Sequence, residues 1–389
     1  MLFRSGNAGL IQREAVEPYA FPREPGFLLN AALGRGAEVH WHARGLWQMA
    51  GALRRYWGHS RPDAHAQATQ AYSQLIAHAT LEHGALMAQV GAQAKAQLGI
   101  QAGAKAAEQA DLADLVKREG FRYVYRTPQA LHAAVQWAES LRDRFGVRYQ
   151  AEDTHQLAQA EPALRVPLAG AVHWLDPWAV NDPGALVQRY ADLFVARGGR
   201  VLLGDAASLR VQGSGWEVQT TEGRVQAMQA VLALGPWADA QLQKLGYHFP
   251  LFIKRGYHQH YHSPVQIRQP MLDAEKGYVL APMQMGLHKG LQKGLQKGLR
   301  LTTGAEFAPL DAAPTPVQLA RAETLARELV TLGEAWPEPP WLGARPCTAD
   351  MLPVMGPAPR HPGLWFNFGH AHQGFTLGPV AGRLLAEMV

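Results

Sequence analysis

A chain of 389 residues, 47% hydrophobic and 18% charged, is long enough for two cores and has the makeup of a globular enzyme rather than a disordered or membrane protein. Its 37 Lys and Arg against 32 Asp and Glu give a net charge of +5, scattered along the chain, which argues against nucleic acid as a partner and suits an anionic small molecule. A single cysteine, Cys347, excludes an internal disulfide framework, fits a reducing compartment and reads as a buried, inert thiol.

No apolar run approaches the ~20 residues of a membrane span. The start Met1-Leu2-Phe3-Arg4 lacks the apolar core of a signal peptide, so a cytoplasmic location is expected. Residues 40 to 118 are rich in Ala, Gln and His, with Leu75, Ile76, Ala79, Leu86 and Met87 at helical spacing, and predict one or two long helices. Phe121 to Arg126 alternates as a strand does, and Pro128 to Arg144 follows as a helix. Gly170 to Trp174 reads as a strand. Asn181-Asp182-Pro183 is an N-cap signal for a helix whose Leu186, Tyr190, Leu193 and Phe194 share one face, ended by Gly198-Gly199.

Arg200 to Leu203, Trp216 to Thr220 and Val231 to Leu234 read as strands, with Gly213-Ser214-Gly215 a turn before the second. Helix, parallel strand, small meander and returning apolar strand is the order of the second half of a dinucleotide-binding fold. Residues 287 to 298 spell L-H-K-G, L-Q-K-G, L-Q-K-G; a glycine every fourth residue, each costing ~1 kcal/mol against alanine, makes a poor helix and predicts a cationic hairpin extruded at the surface. Without those twelve residues, Tyr278 to Gly286 would join Leu299 as a plain two-stranded hairpin. Near the C-terminus come the apolar strand Leu364 to Phe368, a polar turn bounded by glycines, and a helix expected to open at Pro379, a geometry in which backbone N–H groups meet an anion or a flavin ring.

These residues carry a resemblance. Gly6-Asn7-Ala8-Gly9-Leu10, Lys254-Arg255-Gly256-Tyr257, Tyr278-Val279-Leu280-Ala281-Pro282, Val231 to Ala238 and the stretch from Gly343 onward occur in the order found in FAD-dependent enzymes of the D-amino-acid oxidase superfamily, and the chain most resembles D-amino-acid dehydrogenases of the small-subunit type. The resemblance implies a mixed α/β fold: a three-layer ββα FAD-binding domain (1–40, 151–245 and 343–389) interleaved with a substrate domain on a mixed or antiparallel sheet (41–150 and 246–342). It implies oxidative deamination of small D-amino acids such as D-alanine, by hydride transfer from Cα to FAD, giving 2-oxo acids and ammonia. A quinone or carrier protein as electron acceptor and a peripheral contact at the cytoplasmic face of the inner membrane follow on the same footing; oligomeric state does not.

Residue by residue, Arg345 matches the arginine that grips the substrate carboxylate, a role suited to a planar fork; a surface arginine before Pro346 is the other reading. Tyr278 matches a tyrosine donating to the same carboxylate, with an ordinary core tyrosine as its alternative. Asn7, Ala8 and Gly9 match a segment along the flavin. Ala207 and Ser208, in the loop Asp205 to Ser208, and Gly235 match the adenine side, and Gly369, His370, His372, Gln373, Gly374 and Thr376 the turn at the pyrimidine edge. The G-x-G-x-x-G turn and first βαβ unit of that family are not in this sequence, so the resemblance is to an N-terminally truncated member, and an inactive remnant is one alternative. An oxidase of the glycine or sarcosine type is another. A third class uses His258, His260 and His262, which alternate on one strand face and could hold zinc, although no Asp or Glu lies inside that run.

Overall fold

The computed structural model describes residues 7–98, 112, 115–285 and 296–389. Most of the 287–298 repeat lies outside the described residues, as do 99–111, 113 and 114.

Ten strands form the large sheet, in the order Val39–Trp41, Ala305–Phe307, Phe252–His262, Gln296–Thr302, Tyr278–Met285, Met271–Asp273, Phe121–Tyr125, Gly170–Trp174 and Tyr149–Asp153, with Trp341–Cys347 also paired to Phe252–His262. Tyr257, Tyr261, Leu299, Leu301, Tyr278 and Leu280 share one core with Leu319, Ala322 and Ala326 of the helix Val317–Leu329, so these alternate residues define one face of the sheet. The residues between them, Lys254, Gly256, His258, His260 and Arg300, point to the other face. Beneath the first face Arg255 is 1% exposed and is met by Glu306 at 2.7 Å, to which the Tyr257 hydroxyl also donates. Burial works against the Glu306 charge, but the hydrogen bonds from Arg255 and Thr315 hold its carboxyl below the ordinary value.

The rest of the chain has smaller sheets. Ala230–Leu232 runs parallel to Leu364–Phe368, which pairs with Val354–Pro357, and Gly204–Gln212, Gly215–Thr220 and Gly223–Ala227 form an antiparallel meander. A third sheet joins Leu10–Ile11 to Trp178–Val180 and Val116–Lys117. Tyr149–Asp153, Gly170–Trp174 and Trp341–Cys347, which the expected boundaries divide between the domains, all pair in the large sheet.

Several expectations change. Residues 43 to 98 form three helices, Ala43–His59, Pro62–Ala77 and Ala79–Leu98, because Pro62 starts the second at its first position and the His78 N–H closes back on Leu75 to end it. Phe194 is 52% exposed and leaves the buried face kept by Leu186 and Leu193, although Asp182 caps the helix at Ala185 as expected. Arg200 to Leu203 is not a strand: among the described residues no strand pairs with it, and Val201 and Leu203 are exposed. The 205–208 segment is no loop but a bulged part of strand Gly204–Gln212.

The C-terminal helix opens at Gly374 and carries Pro379 inside it. A proline there cannot donate to the carbonyl four residues back, that of Phe375. The His83 Nε2 takes the missing donor's place at 3.0 Å from that carbonyl, and its Nδ1 accepts from the Tyr190 hydroxyl at 2.9 Å. A histidine from a neighbouring helix therefore lets the helix run through its proline.

Candidate active site

Lys254 and Arg345 lie directly opposite each other in the antiparallel ladder between Phe252–His262 and Trp341–Cys347. Cβ atoms at such positions are ~5 Å apart, and two like charges there repel. Among the described residues no carboxylate pairs with either; Arg345 Nη1 donates to the Gly304 carbonyl at 3.0 Å, and Lys254 Nζ lies 3.3 Å from the Tyr56 hydroxyl and over its ring. Gly256 makes room for the guanidinium, since a Cβ there would stand 2.4 Å from Arg345 Nη2. Burial lowers the pKa of Arg345 and of Lys254, and each charge is felt by its neighbours.

His372 closes this cluster. Its ring meets Tyr19 edge-on at 4.5 Å, and burial, with the charges of Arg345 and Lys254 adding to it, pushes the imidazole down to about 3. It is neutral at physiological pH. The cluster thus gathers two cations and a neutral imidazole, with the Tyr56 hydroxyl donating to the Tyr19 carbonyl at 2.8 Å, a set of donors whose charge suits a small anion.

An apolar cavity of about 330 Å³ opens beside Tyr19, Tyr56 and Lys254 and is walled by Phe21, Phe27, Leu28, Trp41, Leu46, Leu53 and Phe307. The helix Pro25–Ala32 forms one wall and is fastened by the Trp41 Nε1 donating to the Ala31 carbonyl at 2.9 Å.

The expected cofactor-side residues fall into two groups. Asn7 Oδ1 accepts from the N–H groups of Gly9 and Leu10, and Arg300 Nη1 donates to the Asn7 carbonyl. Gly9 has φ +76°, and a Cβ on it would strike the Val180 carbonyl at 2.3 Å, so glycine is required where Asn7-Ala8-Gly9 crosses strand Trp178–Val180. The turn after Leu364–Phe368 holds Gly369 at φ +80° and, against the usual preference, Ala371 at φ +49°. It is tied down by a bridge between Cys347 and His370 and by Gln373 Nε2 donating to Gln12 Oε1 at 2.9 Å. Thr376 Oγ1 accepts from the Gln12 N–H at 3.2 Å. No side chain caps the helix that opens at Gly374, and Gln373 Oε1 is buried without a partner. A helix start without a side-chain cap, beside a left-handed turn, fits the electron-rich edge of a flavin ring. Ala207 and Ser208 instead bond within their own strand, the Ala207 N–H to Asp205 Oδ1 and the Ser208 hydroxyl to the Asp205 carbonyl. Gly235, at φ +56°, opens a short turn of helix after Ala230–Leu232.

Tyr278 is not brought to Arg345. It is 1% exposed, belongs to the core on the opposite face of the sheet and stands across from Asp273, which Arg126 Nε binds at 2.8 Å. The core reading of this tyrosine is the one its position satisfies. The three alternating histidines do share the site face, but their nitrogens do not converge: His258 stacks on Trp341, His260 accepts from Arg300 Nε at 3.0 Å, and His262 lies against Trp336. Among the described residues the group with ligand atoms close together is His40, His42 and Glu306, whose carboxylate Arg255 already holds. Sequence reasoning missed Lys254 as a site residue, along with Tyr19 and Tyr56. The alternation of Lys254, Gly256, His258 and His260 against buried Arg255 and Tyr257 was the available signal.

A large mixed sheet bearing Lys254 and Arg345, with a small sheet in which Ala230–Leu232 runs parallel to Leu364–Phe368 and a helix opens after the last strand, is an arrangement compatible with a two-part dinucleotide-binding oxidoreductase. Residues 50–388 match the FAD dependent oxidoreductase family, and the chain belongs to it. A D-amino acid dehydrogenase of Cereibacter sphaeroides is 31% identical over 282 residues, 70% of this chain and 61% of that protein, and one of Xylella fastidiosa is 29% identical over 279 residues with the same coverage. The chain thus spans about three fifths of the length of these relatives. Among solved structures, glycine oxidase from Geobacillus kaustophilus superposes with a TM-score of 0.63 at 22% identity, covering 80% of this chain and 78% of that one. Iminodiacetate oxidase from Chelativorans sp. BNC1 does so with 0.61 at 18% identity, covering 99% and 85%. Both likenesses concern the fold. Among the described residues no helix is long and apolar enough to cross a membrane.

Proposed function

We propose that the protein oxidises the Cα–N bond of a D-amino acid. The observation that carries this is the opposed pair Lys254 and Arg345, two cations without an acid, beside the turn 369–376. FAD, when bound, supplies the acceptor for a hydride from Cα. The amine gives up a proton as its nitrogen becomes an imine, and water then releases a 2-oxo acid and ammonia, so two electrons and two protons leave the amino acid in all. A quinone or carrier protein would take the electrons onward.

The chain's own work is binding and orientation. Arg345 and Lys254 take the carboxylate, each charge-assisted bond being worth ~1.5–3 kcal/mol. Neutral His372 and Tyr19 pack against each other beside it. The turn Gly369 to Thr376 and the segment Asn7 to Gly9 would hold opposite sides of the flavin ring, with Arg300 steadying the second through the Asn7 carbonyl. The D configuration is supported by the relatives named D-amino acid dehydrogenase.

Mixing FAD-loaded protein with D-amino acids in the absence of oxygen tests this: the visible absorbance of oxidised flavin should bleach, and L-enantiomers should leave it. Arg345→Lys keeps the charge and loses the fork, and should lower kcat/KM by ~10²-fold or more with flavin content unchanged. Protein that stays colourless in excess FAD, or a lysine variant as active as the parent, refutes the reading.

A further inference from the structure

We infer that the apolar cavity beside Lys254 is the side-chain pocket of the substrate, and that the amino acid it takes carries a bulky apolar side chain, aromatic or branched aliphatic, with its carboxylate shared between Arg345 and Lys254. This rests on the oxidation reading and narrows it. The cavity and the carboxylate receptor share a wall: Tyr19, Tyr56 and Lys254 line the cavity, Tyr19 packs on His372, and Lys254 faces Arg345 across the ladder. A ligand gripped by its carboxylate between the two cations has the cavity as its neighbour on the Tyr56 side.

The chemistry of that space excludes a polar side chain. Among the residues lining it Lys254 carries the sole charge, and its ammonium is engaged at the Tyr56 hydroxyl end. The remaining walls are apolar, Phe27, Trp41, Leu46, Leu53 and Phe307 among them, with small alanines between. Away from the end formed by Tyr19, Tyr56 and Lys254, a buried hydroxyl, amide or second carboxylate would find no side-chain partner. The size excludes a small side chain: about 330 Å³ is roughly ten times the ~30 Å³ share of one water, whereas a methyl group fills about one such share. An alanine methyl would leave the cavity nearly vacant, and an aromatic ring or isobutyl group would fill much of it.

The same FAD-loaded protein decides the matter in two ways. Turnover of D-phenylalanine and D-leucine should exceed that of D-alanine by on the order of 10² in kcat/KM, and Leu46→Trp, which occupies the cavity, should cut that preference at least about tenfold. Equal or better use of D-alanine, or a preference untouched by Leu46→Trp, overturns the inference. Calorimetry with carboxylates that cannot react gives an answer independent of catalysis: phenylacetate should bind about 30-fold tighter than acetate, and Lys254→Met should weaken both. If phenylacetate is preferred but no amino acid bleaches the flavin, the oxidation reading fails and the pocket stands. If amino acids are oxidised and phenylacetate binds no tighter than acetate, or neither carboxylate binds, the pocket assignment fails.

Discussion

Glu14 is 1% exposed, and burial pushes its carboxyl from the ordinary 4.5 up to about 7, against hydrogen bonds from Gln12 and Tyr123 that pull it down. Its Oε2 is buried without a partner, which is why burial wins. Because the folded state holds this proton more tightly than the unfolded one, stability declines as pH rises from about 4.5 to about 7 and levels off above. A displacement of about 2.5 pH units is worth ~3 kcal/mol at 1.36 kcal/mol per unit. Glu14→Gln keeps the shape, can present its carbonyl to Gln12 and Tyr123, and removes the charge. Urea unfolding followed by tryptophan fluorescence should show the variant gaining ~3 kcal/mol over the parent above neutral pH and nothing below about pH 4.5. A gap between the two proteins that is constant with pH, or that shrinks as pH rises, would refute the reasoning.

Other perturbations follow from the same contacts. His83→Ala strands the Phe375 carbonyl and should cost ~1–3 kcal/mol. In Pro379→Ala the helix regains its own donor, so the double variant should lose less than His83→Ala alone; strict additivity in denaturant melts would argue against the substitution of donors described here. Gly256→Ala puts a methyl 2.4 Å from the Arg345 guanidinium and should lower kcat/KM by ~10²-fold through misplacement, with the unfolding midpoint nearly unchanged. An unaltered KM and kcat in that variant would remove Arg345 from the site.

Local patterns reported themselves well in the sequence, and non-local ones did not. The alternation at Phe121 to Tyr125, the Asp182 cap and the apolar run Leu364 to Phe368 depend on neighbours a few residues away, and all three formed where expected. Arg200 to Leu203 is as apolar as those strands, yet extended backbone needs a partner ladder, and none among the described residues is offered. Pro379 reads as a helix start because proline usually is one; only the fold brings His83 to the carbonyl that it orphans. The site shows the same limit. Arg345 was picked out through family resemblance, whereas Lys254 became a partner to it only through the ladder register. Tyr278 went the other way, since a strand's parity decides which face a side chain takes and the sequence does not say which face is the site.

The hairpin arms Tyr278–Met285 and Gln296–Thr302 hold one further consequence. Their register, from Val279 opposite Thr302 to Met285 opposite Gln296, is set by ladder bonds and by apolar side chains locked into a core, and owes nothing to the number of residues joining them. The sheet that carries Lys254 and Arg345 therefore takes its pairing here from the arms themselves, since a slip of one residue would turn Leu280, Leu299 and Leu301 out of the core.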